Sequence, residues 1–116
     1  MLQGWRNSAL QQHSELQTAL HSGVPLNEVL AQASVLMRKV ALATMPREKA
    51  ASVQHDSWLQ LLDELGDTGR YTQGVGRLLL THPYQRDSEV DRDQVIELMG
   101  LIQQTIKSAP EVQAGV

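Results

Sequence analysis

Apolar residues recur along most of the chain with the spacing of one helix face, and the clearest stretch covers residues 25–45. Pro25 suits the first turn of a helix, and Pro46 ends it because the residue before proline avoids helical angles. Val35 and Leu42 add apolar surface on a second side, which is typical of a central helix. The pattern therefore predicts a central helix whose buried positions, spaced i, i+3, i+4 and i+7, are Leu26, Val29, Leu30, Ala33, Leu36, Met37, Val40, Ala41 and Thr44.

A thinner apolar stripe runs through residues 5–22 and predicts a first helix on the outside of the domain. Its members are Trp5, Ala9, Leu16 and Leu20, and Gly23 follows as a stop. This helix is expected to contribute less to the core than the central one.

Two further helices are predicted in the second half of the chain. Residues 56–65 carry the stripe Trp58, Leu61, Leu62 and Leu65, with Asp56 or Ser57 as the N-cap and Gly66 as the stop. Residues 89–108 carry a stripe that begins at Val95, and a capping box over Ser88–Asp91 is expected at the start. Its remaining apolar members are Leu98, Met99, Ile102 and Ile106.

The shorter segments between these helices are less periodic. Residues 46–53 predict a short helix. Within residues 70–86, Leu78-Leu79-Leu80 fits either a short helix or a strand, and helix is favoured because no second strand is available for pairing. The prediction is an all-α bundle of about four to six helices, with one domain over residues 1–109 and a disordered tail over 110–116.

Composition narrows the chemistry open to this chain. Aromatic residues make up 3%, so the core is built from aliphatic side chains, with Trp58, Leu61, Leu62, Leu36, Val40 and Leu98 expected in it. The absence of cysteine excludes a disulfide, a cysteine-ligated zinc site and a thiol nucleophile. No apolar run approaches the roughly 18 residues of a membrane span.

Charge is distributed unevenly along the sequence. The net charge of −3 argues against binding to nucleic acid. Residues 1–49 carry five basic and three acidic side chains, whereas residues 50–116 carry five basic and ten acidic side chains. A local basic stretch is either a solvated face or a patch for anionic lipid headgroups or an acidic partner, and it consists of Arg38, Lys39, Arg47 and Lys49.

Several short motifs invite a chemical interpretation that their spacing does not support. The acidic run Asp87, Glu89, Asp91 and Asp93 lacks the glycine and the final glutamate of a calcium loop, and helix N-terminal charge explains it better. His13, His21, His55 and His82 show no metal-ligand spacing, and His55-Asp56-Ser57 fits a helix cap rather than a triad. The spacing of Gly74-Val75-Gly76 does not fit a dinucleotide or phosphate loop, and the segment is predicted to be a loop that leads into a helix. No catalytic residue, cofactor site or metal site is predicted, and no enzymatic activity is expected.

Three residues are expected to act as structural anchors. Trp58 is the large side chain of its stripe, and Arg77 and Tyr84 lie in a segment with few apolar residues. Polar side chains that satisfy backbone carbonyls would hold such a segment in place.

A spaced series of short motifs resembles a bacterial family of unknown function. Its members are short membrane proteins encoded beside MoxR-type AAA+ ATPases and von Willebrand factor A-domain proteins, in operons of the aerotolerance type. The resemblance covers about residues 26–102. The motifs, in order, are Arg38-Lys39-Val40-Ala41-Leu42-Ala43, Pro46-Arg47, Ala50-Ala51, Trp58-Leu59, Leu62-Asp63, Gly76-Arg77-Leu78-Leu79 and Pro83-Tyr84.

The resemblance implies a single membrane-spanning helix upstream of a helical cytoplasmic region, and it implies no catalytic residue. The leading expectation is therefore an interaction module of an inner-membrane accessory protein that faces the cytoplasm, with an A-domain protein or a MoxR-type ATPase as partner. Two alternatives stay open, a structural homo-oligomer and a small ligand-binding helical domain. The latter requires a concave pocket with convergent polar groups.

Overall fold

The computed structural model describes residues 4–81 and 89–110, and within them the chain forms an all-α bundle. A 3-10 turn, Val75–Arg77, precedes the fifth helix. The predicted fold class is confirmed, whereas residues 111–116 lie outside the described part and the domain limits stay a prediction. The helices are α1 (Gly4–His21), α2 (Leu26–Thr44), α3 (Arg47–Ser52), α4 (Asp56–Gly66), α5 (Leu78–Thr81) and α6 (Arg92–Ser108).

Helix α2 lies at the centre and contacts α1, α3, α5 and α6. All nine positions of its predicted stripe are buried. The six residues expected in the core, from α2, α4 and α6, are also buried. A long amphipathic helix of this kind can be predicted reliably from the sequence, because every buried position repeats the same helical spacing.

The second apolar side of α2 is not covered by any helix of the described chain. Val35 is 55% exposed and Leu42 is 41% exposed. The sequence pattern indicated a helix apolar around much of its circumference, but the neighbouring helices pack on one side of α2 only. Two large apolar side chains on the central helix therefore face outward.

Helix α1 packs against both α2 and α6. His13 is 2% exposed and fills the gap between Ala9 and Leu16 in the stripe of this helix. Its Nε2 lies 2.7 Å from the carbonyl oxygen of Met99 in α6 and donates to it, since a carbonyl can only accept. The histidine thus extends the buried face of α1 while satisfying its own polar atom.

Two arginines fasten α1 and α6 to each other at both ends. Arg6, in the first turn of α1, donates to the carbonyls of Ile106, Lys107 and Ala109 at the end of α6. Arg92, the first residue of α6, donates to the carbonyl of Leu20 at the end of α1 over 3.0 Å. The last carbonyls of a helix have no partner within it, so each arginine caps the opposing helix. The two helices therefore run antiparallel.

The helix boundaries differ from the predicted caps at three places. Helix α4 starts after His55, whose φ is 55° and whose side chain makes no capping bond, so the prediction of Asp56 or Ser57 as cap is wrong. Helix α6 starts after Asp91, which accepts from the backbone N–H of Asp93, so α6 begins later than predicted and Asp91 is its cap. Ser88, the first residue of the predicted capping box, lies outside the described residues. In a run of several acidic residues, sequence alone does not say which carboxylate meets a free N–H.

Gly66 was predicted to end α4 as a stop outside it, but it is the last helical residue, and Asp67 after it takes the left-handed conformation with φ 51°. A Cβ on Gly66 would lie 2.8 Å from Oγ1 of Thr105 in α6. The glycine is needed because α4 and α6 approach closely at this point, rather than for a turn.

Within the ambiguous segment, residues 70–74 form turns and bends, and residues 75–81 are helical. Val75–Arg77 forms the 3-10 turn and Leu78–Thr81 forms α5, so helix rather than strand is confirmed for the leucine run. Gly74-Val75-Gly76 is the predicted loop into a helix. Residues 82–86 lie outside the described part.

Candidate functional site

Trp58, a predicted anchor, is buried on α4 at 3% exposure. The guanidinium of Arg38 lies over its ring, 4.0 Å from the ring centroid, and also donates to the carbonyl of Ala50 at 3.3 Å. Arg38 of α2 thus contacts the Trp58 ring of α4 and the backbone of α3, so one side chain joins three helices. Arg38 is therefore committed to the fold, although the sequence grouped it with a possible binding patch.

The other members of the basic stretch lie in different surroundings. Lys39 lines the cleft between α1 and α2 together with Trp5 and Leu36. Lys49 pairs with Glu64 at 3.2 Å, and Arg47 is exposed as the first residue of α3. The structure thus turns Arg38 and Lys39 to different sides of α2, and the four residues do not share one set of neighbours.

Arg77, another predicted anchor, reaches back along its own segment. It donates to the carbonyl of Thr72 and to Oδ1 of Asp56, both at 3.1 Å. These contacts join the 3-10 turn to the start of α4. The third predicted anchor, Tyr84, lies outside the described residues.

Asp63 organises the loop after α4; the sequence analysis named it within the Leu62-Asp63 motif but assigned it no structural role. Its carboxylate accepts from the backbone N–H groups of Tyr71 and Thr72 and from the Thr72 hydroxyl. One acidic side chain that follows a buried leucine on a helix is the only sequence signal for this role. The three bonds hold the loop against the end of α4.

Tyr71 is fully buried, with 0% exposure, and was also missed by the sequence analysis. Its hydroxyl lies 2.7 Å from Oγ1 of Thr105, which itself donates to the Leu101 carbonyl. Burial raises the pKa of the Tyr71 phenol far above its ordinary value. A Cβ on Gly76 would overlap the backbone of Tyr71, so glycine is required where the 3-10 turn crosses it.

The remaining candidate motifs serve the helix ends or the surface. Asp91 caps α6, which confirms the helix N-terminal reading for that member of the acidic run; Asp87 lies outside the described residues. His21 and His55 are exposed, and His82 is not described. In residues 4–81 and 89–110, no three His, Asp or Glu side chains are placed to hold a metal ion, and no helix is long and apolar enough to span a membrane.

The two ends of the layer formed by α1, α2 and α6 differ in charge. The first turn of α1 contacts the end of α6 through Arg6. It also contacts the second half of α2, where Trp5 and Lys39 line the same cleft. In the described part of the chain, this entry end carries one exposed carboxylate, that of Glu48 beside Arg47, and more cationic side chains: Arg6, Lys39, Arg47 and Lys107.

The opposite end of the layer holds the end of α1 and the starts of α2 and α6, because Arg92 bonds to Leu20. Among the residues that the structure describes at this end, Arg92 is the one arginine, and the exposed carboxylates belong to Glu28, Glu89, Asp91 and Asp93. Each end combines residues from both halves of the sequence, so the packing of the helices determines the difference in charge between the two ends.

The fold and its contacts define a small all-α domain in which several polar side chains, among them Arg6, His13 and Arg92, tie helices together. The chain belongs to the family described as a domain of unknown function (DUF4381), which matches residues 1–108. This confirms the expected membership in a family of unknown function. No curated protein and no solved structure matches the chain.

Proposed function

We propose that this domain is an interaction module of a membrane-anchored accessory protein that works with a MoxR-type ATPase and a von Willebrand factor A-domain protein. The anchor and the partners come from the family resemblance of the sequence. The observation that supports this role best is the charge difference between the two ends of the helix layer. A tethered adaptor needs one end for the membrane and another for its partner.

The entry end has the properties expected near a cytoplasmic leaflet. Trp5 is half-buried beside Lys39, and tryptophan and basic residues are favoured at this interface. Arg6 already binds three carbonyls of α6, so it fixes the direction of α1 relative to the bundle. An upstream span that continues into α1 would therefore orient the whole domain.

Charge alone orients the domain without anchoring it. Each basic side chain close to an anionic surface contributes about 1 kcal/mol, and few of them lie at the entry end. The isolated domain is thus expected to bind anionic vesicles weakly, and the acidic end remains accessible to a protein partner.

The test measures binding of the domain to the A-domain protein and to the ATPase encoded beside its gene. The variant Glu28→Gln/Asp93→Asn removes two charges from the acidic end, and Glu15→Gln/Glu48→Gln removes two from exposed sites elsewhere. We expect the first variant to bind one of these partners at least about tenfold more weakly, because complementary charge is lost, and the control to bind like the wild type. Failure of the wild type to bind either protein would remove the proposed role.

A further inference from the structure

The outward face of α2 combines apolar and basic side chains. Val35 and Leu42 are both well exposed, and they stand two helical turns apart, about 10.5 Å along the axis. Lys39 lies between them on the same face and is also exposed. We define these three residues as the α2 face.

The outward face of α6 has a different composition. Ile96 is 43% exposed, and Gly100 stands one turn further along the same side. A Cβ on Gly100 would meet nothing within 4 Å, so no contact inside the chain requires this glycine. Glycine in the middle of a helix costs about 1 kcal/mol relative to alanine, and here the fold does not explain that cost.

Carboxylates flank the apolar part of this helix. Asp93 and Glu97 are exposed on either side of Ile96, and Glu97 also pairs with Arg70 at 2.8 Å. We define Asp93, Ile96, Glu97 and Gly100 as the α6 face. A helix that packs here approaches closely above Gly100 and meets negative charge beside it.

We propose that the α6 face of one copy of this domain receives the α2 face of a second copy. Apolar side chains are available on both faces, and Lys39 is complementary to the carboxylates beside Ile96. The space above Gly100 admits the side chains of an approaching helix, which a larger residue would hold away. Both faces are exposed within a single copy, so they do not cover each other there.

The interface that results is heterologous, since it joins two different surfaces. Each copy keeps one free α2 face and one free α6 face, so association continues beyond a dimer unless a ring closes. Lys39 and Asp93 take part in this interface and also belong to the charged ends, so a partner at an end competes with the second copy for these two side chains. The face variants below therefore change only Val35, Leu42, Ile96 and Gly100, which lie outside the charged ends, and a failure of self-association is distinguishable from a failure of partner binding.

The experiment uses sedimentation of the full chain and of two double variants. Val35→Gln/Leu42→Gln removes the α2 face, and Ile96→Gln/Gly100→Gln removes the α6 face. All four positions are exposed, and glutamine is a good helix former, so both variants retain the fold. Asn7→Gln/Ser14→Gln on the outer side of α1 is the matched control.

The expected result is specific to a heterologous interface. The wild type and the control gain mass with concentration beyond a dimer, whereas each face variant alone stays monomeric, with association at least about tenfold weaker because its apolar contacts are lost. An equimolar mixture of the two face variants forms a complex of two copies and stops there, because it retains one intact pair of faces. A wild type that stays monomeric, or stops at a dimer, contradicts the proposal. A mixture that forms no complex also contradicts it.

Discussion

Individual polar side chains in this bundle are largely committed to backbone groups of other segments. Arg6, Arg92, His13 and Arg77 each donate to a carbonyl of another element or loop, and Asp63 accepts from two backbone N–H groups. Such bonds satisfy groups that helices and loops leave open. At the scale of residues, polarity in the interior therefore serves the fold, and recognition falls to the exposed side chains.

Trp58 allows the packing of α4 to be measured directly. Trp58→Ala is expected to lower the free energy of unfolding by about 3–5 kcal/mol, because the helices cannot close the cavity fully and Arg38 loses the ring beneath it. Urea unfolding measures this. Trp58→Phe is the control, since Nε1 of Trp58 has no hydrogen-bond partner among the described residues and its loss breaks no bond. A loss below about 1 kcal/mol for the alanine variant would show that Trp58 does not support the core.

Tyr71 makes stability dependent on pH in the alkaline range. Its pKa is raised in the folded state, so above the ordinary value of 10.0 the unfolded chain loses the phenol proton while the folded chain keeps it. Stability contributed by this group is thus complete below pH 10 and falls as pH rises toward the folded pKa. The decline contributed by one proton approaches about 1.4 kcal/mol per pH unit.

Two variants separate this titration from the hydrogen bond of the same hydroxyl. Tyr71→Phe removes both, so it is less stable at neutral pH and loses less stability than the wild type between pH 10 and 11. Thr105→Val removes the bond to Tyr71 but keeps the ionisable phenol, so it retains the alkaline loss. Equal pH dependence of the wild type and Tyr71→Phe, measured by urea unfolding, would contradict the assignment.

At the scale of elements, the contacts between helices decide which glycines the fold requires. Gly76 lies against the backbone of Tyr71, whereas Gly100 faces open space. The same substitution is therefore expected to have opposite effects. Gly76→Ala should destabilise the domain by about 1–3 kcal/mol through overpacking. Gly100→Ala should stabilise the monomer by about 1 kcal/mol through helix propensity. Thermal unfolding at low protein concentration measures both, and a stabilising effect at Gly76 would refute the close approach.

Arg6 and Arg92, the two arginines that cap the opposing helix, are expected to stabilise the packing of α1 against α6. Arg6→Met keeps the apolar stem and removes the capping bonds, and we expect a loss of about 1.5–3 kcal/mol. Arg92→Met should cost less because Arg92 makes one such bond in the structure. The two sites lie at opposite ends of the helix pair, so their effects should add within about 0.5 kcal/mol. Arg47→Met, at an exposed position, is the control. A similar loss of stability in this variant would show that the loss at Arg6 and Arg92 does not come from their capping bonds.

Helices were predictable where one apolar stripe repeats over many turns. Every buried position of α2 followed from its spacing, because packing on one side imposes the same period throughout. Helix caps were not predictable, because the cap of α6 depends on a single bond between the Asp91 side chain and one backbone N–H, which the sequence does not reveal. Val35 and Leu42 were assigned to a covered side because periodicity records apolarity but not which neighbours are present. The role of Asp63 depends on the path of the loop that follows its helix, whereas the burial of Tyr71 and the charged ends depend on contacts between distant segments.

At the scale of the whole molecule, the packing of α1 against α2 and α6 brings charged residues from both halves of the sequence together at two unlike ends. Helix α1 begins at the basic end, beside Trp5. The starts of α2 and α6 bring carboxylates together at the acidic end. This arrangement suits a domain that hangs from a membrane and presents its far end to a partner. The sides of the layer remain for contacts between copies.

The most direct measurement of this account is the cellular fractionation of the full gene product. A membrane-anchored module is expected in the membrane pellet, and it should stay there after washing with high salt, because salt releases charge-bound proteins but not a membrane-spanning helix. The isolated residues 1–116 are expected to leave the pellet under the same wash. Recovery of the full product in the soluble fraction, from a gene that encodes no upstream apolar segment of about 20 residues, would contradict the account.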